Sequence, residues 1–160
     1  MNKLILLGQL RSVIMERILA FERSAQSAHA EATDEQNKAE SKYDTRALEA
    51  SYLAEGQTRH AAEAQQTFLQ LEMFEPRAFD SDDSVDIGAL VELESGDNVC
   101  DWYFLAPCAG GTEVDFGGRK VLVLTPQSPL GAQLIGASRG GKVVIRVGDR
   151  CSEFRVKSLL

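Results

Sequence analysis

Apolar residues recur along the first half of the chain in heptad spacing. Leu7, Ile14, Ile18, Phe21, Ala25, Ala28 and Ala32 form one series. Tyr43, Ala47, Ala50, Ala54, Gln57, Ala61, Ala64, Phe68 and Leu71 form a second, in unbroken steps of four and three. That spacing keeps side chains on one stripe of a helix, and it predicts two long helices that meet along a seam. No proline interrupts either series before Pro76. The first stripe runs from large residues to small ones, and the second from small to large. An antiparallel hairpin matches large with large and alanine with alanine. It puts Leu7 beside Leu71, Ile14 beside Ala64, Ala25 beside Ala54 and Ala28 beside Ala50, with the turn near residue 39 and a thin far end. Roughly 30 residues per helix reach about 45 Å. The sequence Thr33-Asp34-Glu35-Gln36 has the form of a capping box, which predicts that the second helix starts there.

Pro76 to Ser84 reads as a linker, and beyond it the period changes to that of strands. Val85–Ser95 alternates and ends at a Ser-Gly-Asp-Asn turn, and Val99–Ala106 follows as a second strand. Residues 107–120 are a glycine-rich loop or hairpin, and Val121–Thr125 is a buried strand. Ser128 to Gly136 reads as a short helix with Ser128 at its cap and Pro129 in its first turn. Residues 142–160 form a closing hairpin that turns at Gly148–Asp149. The expected organisation is α+β: an antiparallel coiled-coil hairpin over 1–75, a linker over 76–84, and an antiparallel β domain with one short helix over 85–160.

Charge changes this picture at one place. Between the two heptad series the apolar residues nearly vanish, and Asp34, Glu35, Glu40 and Asp44 crowd together. One reading is a solvated turn whose acids pair with Lys38, Lys42 and Arg46. The other is metal handling: carboxylates at the end of a thin rod can complete the shell of a Mg²⁺ ion that a partner largely holds, and such an ion activates water against a phosphodiester.

The rest of the composition is mainly exclusive. A net charge of −7 over 160 residues argues against free nucleic acid as the main partner. No apolar run approaches the roughly 18 residues of a membrane span. The run Leu4–Leu10 is too short for a signal peptide and no small-residue cleavage site follows it, so a cytoplasmic protein is expected. Cys100, Cys108 and Cys151 fit no zinc spacing and are expected to be buried, reduced thiols. Neither His29 nor His60 lies in the second half, which leaves a serine or cysteine nucleophile without a base. The glycines have neither P-loop nor dinucleotide spacing.

The layout, with Ser-Pro-Leu-Gly-Ala-Gln-Leu-Ile-Gly over Ser128 to Gly136, resembles the bacterial Gre transcript-cleavage factors, GreA and GreB. The resemblance covers almost the whole chain. Ser128, Pro129, Gly131, Leu134, Ile135 and Gly136 carry it in the second half, and Tyr43 with Tyr52–Leu53 carries it in the rod. It implies an FKBP-like second domain and an accessory factor that is not itself an enzyme. It also implies RNA polymerase as partner, the coiled coil passing down the secondary channel toward the RNA 3′ end. Glu40, with Asp34, Glu35 or Asp44 assisting, would help hold a Mg²⁺ ion shared with the polymerase, Glu40 and Asp34 nearest the metal. Asn37, Lys38 and Tyr43 at the tip, and Ser128, Pro129, Leu130, Gly131 and Gly136 in the second domain, would serve partner binding. A monomer is expected, since the hairpin uses its own seam. With one residue deleted, Glu40 aligns with a family glutamate and Asn37 falls where the family has aspartate. The implied activity is therefore either modulation of RNA cleavage or plugging of the channel without cleavage. A prolyl isomerase or chaperone is a further alternative, and it needs an open aromatic pocket from Trp102, Tyr103, Phe104 and Phe116.

Overall fold

The computed structural model describes residues 2–33, 45–80, 82–96, 99–147 and 150–160. Two long helices come first, α1 (Lys3–Thr33) and α2 (Arg46–Glu72). The strands β1 (Leu90–Ser95), β2 (Cys100–Leu105), β3 (Glu113–Phe116) and β4 (Arg119–Leu124) follow, then the short helix α3 (Pro129–Leu134), then β5 (Lys142–Val147) and β6 (Arg150–Leu159). No helix among the described residues is long and apolar enough to cross a membrane. The chain divides into two compact units. One is Ser12–Leu69, and the other joins Met1–Arg11 to Gln70–Leu160.

In the helical unit α1 and α2 run antiparallel. Phe21 lies beside His60 with ring centroids 5.4 Å apart, and Gln65 Nε2 donates to Glu22 Oε1 at 3.1 Å. The seam residues Ile14, Ile18, Ala28, Ala50, Ala54, Ala61 and Ala64 are buried, as their stripe predicts. The register differs from the size-matched one, which opposed residues 21 and 22 to positions 57 and 56. The observed partners, His60 and Gln65, sit three and nine residues further toward the C-terminal end of α2. Thr33 is also corrected. It lies within α1, its hydroxyl donating to His29 O at 2.9 Å, and α2 opens at Arg46 with Thr45 bonded to Glu49 at 2.7 Å.

The second unit is built on a six-stranded sheet of order β3-β4-β2-β1-β6-β5. Its pairings are antiparallel except one: β2 and β4 run parallel, with Trp102 opposite Val121 and Leu105 opposite Leu124. The expected all-antiparallel sheet is thus corrected to a mixed, open one. The glycine-containing connection after β2 carries the chain past the neighbouring position, so the β3–β4 hairpin returns with β4 inside and β3 at the edge. The strand expected over 85–95 begins only at Leu90. Gly88, at φ +93°, closes a turn in which Ala89 N–H donates to Asp86 O, a conformation that L side chains rarely adopt. One face of the sheet buries Val91, Leu93, Leu105, Val143 and Val156 against Leu134 of α3. By strand alternation the other carries Leu90, Trp102 and Phe104, and Phe74 packs on Phe104 with centroids 6.4 Å apart.

The start of α1 belongs to this unit. Lys3 Nζ donates to Gly88 O at 3.0 Å, to Leu160 O at 3.1 Å and to Arg77 O. It also sits 4.6 Å from the Phe79 ring centroid, and the Arg77 guanidinium lies 3.8 Å from that centroid. Arg11 donates to the carbonyls of Leu71 and Glu72, satisfying acceptors that the end of α2 leaves free.

Candidate functional site

The stretch that carries the second-domain resemblance is held from both ends. Ser128 accepts from Gly131 N–H at 3.1 Å and donates to Thr125 O at 2.8 Å, so one hydroxyl caps α3 and ties down the preceding turn. Pro129 occupies the first turn, where its missing N–H costs nothing. A Cβ on Gly131 would stand 2.0 Å from Thr125 O, so this position accepts only glycine without moving the turn. Leu134 is fully buried and Leu130 packs against the same core. Gly136 N–H donates to Val85 O at 2.8 Å, and Val85 N–H returns a bond to Ala137 O at 2.8 Å. Further on, Gly140 N–H donates to Val156 O at 2.7 Å, which pins the segment to β6.

The residues left on the outside are apolar or neutral. Pro129, Ala132 and Gln133 of α3 line a shallow cleft of about 580 Å³ with Val144 and Ile145 of β5. Ile135 and Val144 are 39% and 41% exposed. Of the expected partner-binding residues in this half, Pro129 and Gly136 reach the surface, Ser128 and Leu130 are half-buried, and Gly131 is buried. The structure brings these five into one element and its flank.

The acidic tip is a different matter. Asp34, Glu35, Asn37, Lys38, Glu40, Tyr43 and Asp44 lie outside the described residues. The helix ends that flank them leave a cleft of about 600 Å³ lined by His29, Thr33, Ser51, Ala54, Glu55 and Thr58. Among the described residues no group of three or more His, Cys, Asp or Glu comes together to hold a metal ion.

Trp102, Phe104 and Phe116 are buried, so they build core rather than an open aromatic pocket. Cys100 and Cys108 form no disulfide and are half-buried, not buried as expected. Burial pushes the Cys108 thiol up. One polar cluster was not legible in the sequence: Lys157 Nζ lies 3.3 Å from both Cys100 Sγ and Glu94 Oε1. Spacing gives no hint of it, because it joins three strands.

Fold and site together define a class: a two-helix antiparallel hairpin followed by a mixed-sheet unit with one serine-capped helix. Among solved structures the chain is similar to GreA factor homolog 1 (Gfh1) of Thermus thermophilus, at 19% identity over 94% of each chain with a TM-score of 0.40. It is similar also to Gfh1 of Thermus aquaticus, at 19% identity over 92% of each chain with a TM-score of 0.41. A further structure of the transcription factor Gfh1 is 18% identical over 94% of this chain and 93% of that one, with a TM-score of 0.41. No protein-family model matches the chain. No curated protein matches it either.

Proposed function

We propose that this chain is a Gre-like factor that binds RNA polymerase, occupies its secondary channel and regulates the enzyme without cutting RNA itself. The observation that carries the reading is the Ser128 to Gly136 segment. The residues of the sequence resemblance there have physical work to do: Ser128 caps, Gly131 admits a close carbonyl, Leu134 anchors and Gly136 bonds to Val85. Their product is a rigid, partly apolar edge suited to holding a protein partner. On this reading the sheet unit is the FKBP-like docking half and the helical hairpin is the probe, acting as a monomer.

Asn37 favours plugging over cleavage. Its amide can offer a carbonyl oxygen to a cation but brings no charge, and a Mg²⁺ ion at a two-carboxylate site draws much of its binding from charge. Stimulated cleavage is the second reading. In it Glu40, with Asp34, Glu35 or Asp44, completes the shell of a Mg²⁺ shared with the polymerase.

The deciding experiment uses a backtracked elongation complex of the cognate polymerase, with polymerase binding measured separately. A plug binds, slows RNA synthesis and leaves the transcript intact, and Glu40→Ala binds with unchanged affinity. Shortened transcripts that disappear with Glu40→Ala select the second reading. Failure of the chain to bind polymerase at all sinks both.

A further inference from the structure

Glu94, Cys100 and Lys157 sit on three neighbouring strands. Cys100 is the register partner of Glu94 across β1 and β2. On the other side of β1, Glu92 pairs with Ser158 and Leu93 with Val156, so β6 carries Lys157 as an extra residue at a register shift. Such a bulge re-aims the side chain it adds. Here it brings Nζ to 3.3 Å from Cys100 Sγ and 3.3 Å from Glu94 Oε1, while Sγ stands 4.0 Å from that same oxygen. Cys100 is half-buried and free, which leaves its sulfur within reach of a small solute. Contact with the thiol, and then with Glu94, holds the Lys157 amine above its usual range for as long as the sulfur stays reduced. The thiolate is the form of a cysteine that attacks peroxide, and burial holds Cys108 toward the inert thiol.

We propose that Cys100 and Lys157 form a peroxide-driven cross-linking site, with Glu94 moving the proton between them. The Cys100 thiolate attacks one oxygen of hydrogen peroxide. The O–O bond breaks, an S–O bond forms, and the released hydroxide takes up the proton the thiol gave away, leaving as water. Sulfur is oxidised by two electrons and the peroxide is reduced. Oxidation removes the thiol contact that raised the amine, Nζ passes a proton to Glu94, and the freed lone pair attacks the sulfenic sulfur. An S–N bond forms, the S–OH bond breaks, and the departing hydroxide recovers the proton from Glu94. The second Nζ proton passes to solvent. Thiol, ammonium and peroxide have become a sulfenamide, two waters and a proton. The link ties β2 to β6 across β1.

The test treats the whole chain with hydrogen peroxide and maps its peptides by mass. The expected product joins the Cys100 and Lys157 peptides, is lighter than their sum by two hydrogens, and separates again with a thiol reductant. Lys157→Arg keeps the cation but cannot condense in this way, so it should yield a Cys100 sulfenic acid trapped by dimedone and no link. Glu94→Gln should slow linking by about a hundredfold, the low end for losing a proton carrier, without slowing dimedone capture. Three results overturn the proposal: a linked pair that retains an oxygen, a dimedone adduct at Cys100 with no link in the unsubstituted chain, or oxidation at Cys108 while Cys100 stays reduced.

Discussion

Gly131 shows how a single missing methyl group can hold a tight segment together. Its Cα passes so close to Thr125 O that the Ser128 hydroxyl can bond to both sides of the same turn. Gly131→Ala should therefore cost about 3 kcal/mol in urea unfolding, at the upper end of what overpacking costs, because the obstacle is backbone rather than a side chain that can rotate away. Gly8 makes the opposite case. It lies inside α1 with open space around a built Cβ, so Gly8→Ala should stabilise by about 1 kcal/mol. Equal effects at the two glycines would contradict this account. The sequence made the glycine in Ser-Pro-Leu-Gly noticeable but could not distinguish it from Gly8, since what sets them apart is the position of a carbonyl six residues upstream.

Among the elements, α3 is too short to persist on its own and depends on its cap and its packing. Ser128→Ala should lower stability by about 1 kcal/mol, measured by urea unfolding, and should speed amide exchange first at Gly131 and Ala132. Exchange unchanged at those two amides would mean the cap contributes little. Elements of this kind were readable in advance because their signals are local: a cap, a proline, an apolar face. The heptad stripe was readable for the same reason, and its buried members are those it names. The partners that Phe21 and Glu22 find on α2 were not readable, since residue size along a stripe does not decide which side chains meet. Nor was the parallel pairing of β2 with β4, which depends on where a glycine-rich connection sets the chain down. Of the candidate site, the Ser128 to Gly136 edge was legible as a motif, while the exposed Val144 and half-buried Ile145 beside it come from a strand further along the chain and were not. The Cys100–Lys157 contact was hidden twice over, by strand order and by a bulge.

At the scale of the whole molecule, Lys3 gathers residues that are distant in sequence: Arg77, Gly88 and Leu160 all receive its hydrogen bonds. Burial, with the Arg77 charge adding, depresses its pKa from 10.5 to about 8. The sign of the pH effect follows. Below pH 8 the lysine is charged both folded and unfolded, and the full cost of burying that charge is present. Between about pH 8 and 10.5 the folded chain releases the proton while the unfolded chain keeps it, so stability rises with pH across that window. Urea unfolding at several pH values should show this rise in the native chain and a smaller one in Lys3→Met. Parallel curves for the two proteins would show that the amine titrates as it does in water.

The pairing of Met1–Arg11 with Gln70–Leu160 has a consequence for synthesis. A ribosome releases the chain from its N-terminus, so the first eleven residues emerge long before the strands they belong with. Leu6, Leu7 and Leu10, all buried in the finished protein, must wait in solvent or under a chaperone while the helical hairpin forms behind them. The sheet is no quicker, because the inner strand β1 has β6 as one of its two neighbours. The hairpin can fold during translation, whereas the sheet unit is complete only after β6 has left the exit tunnel.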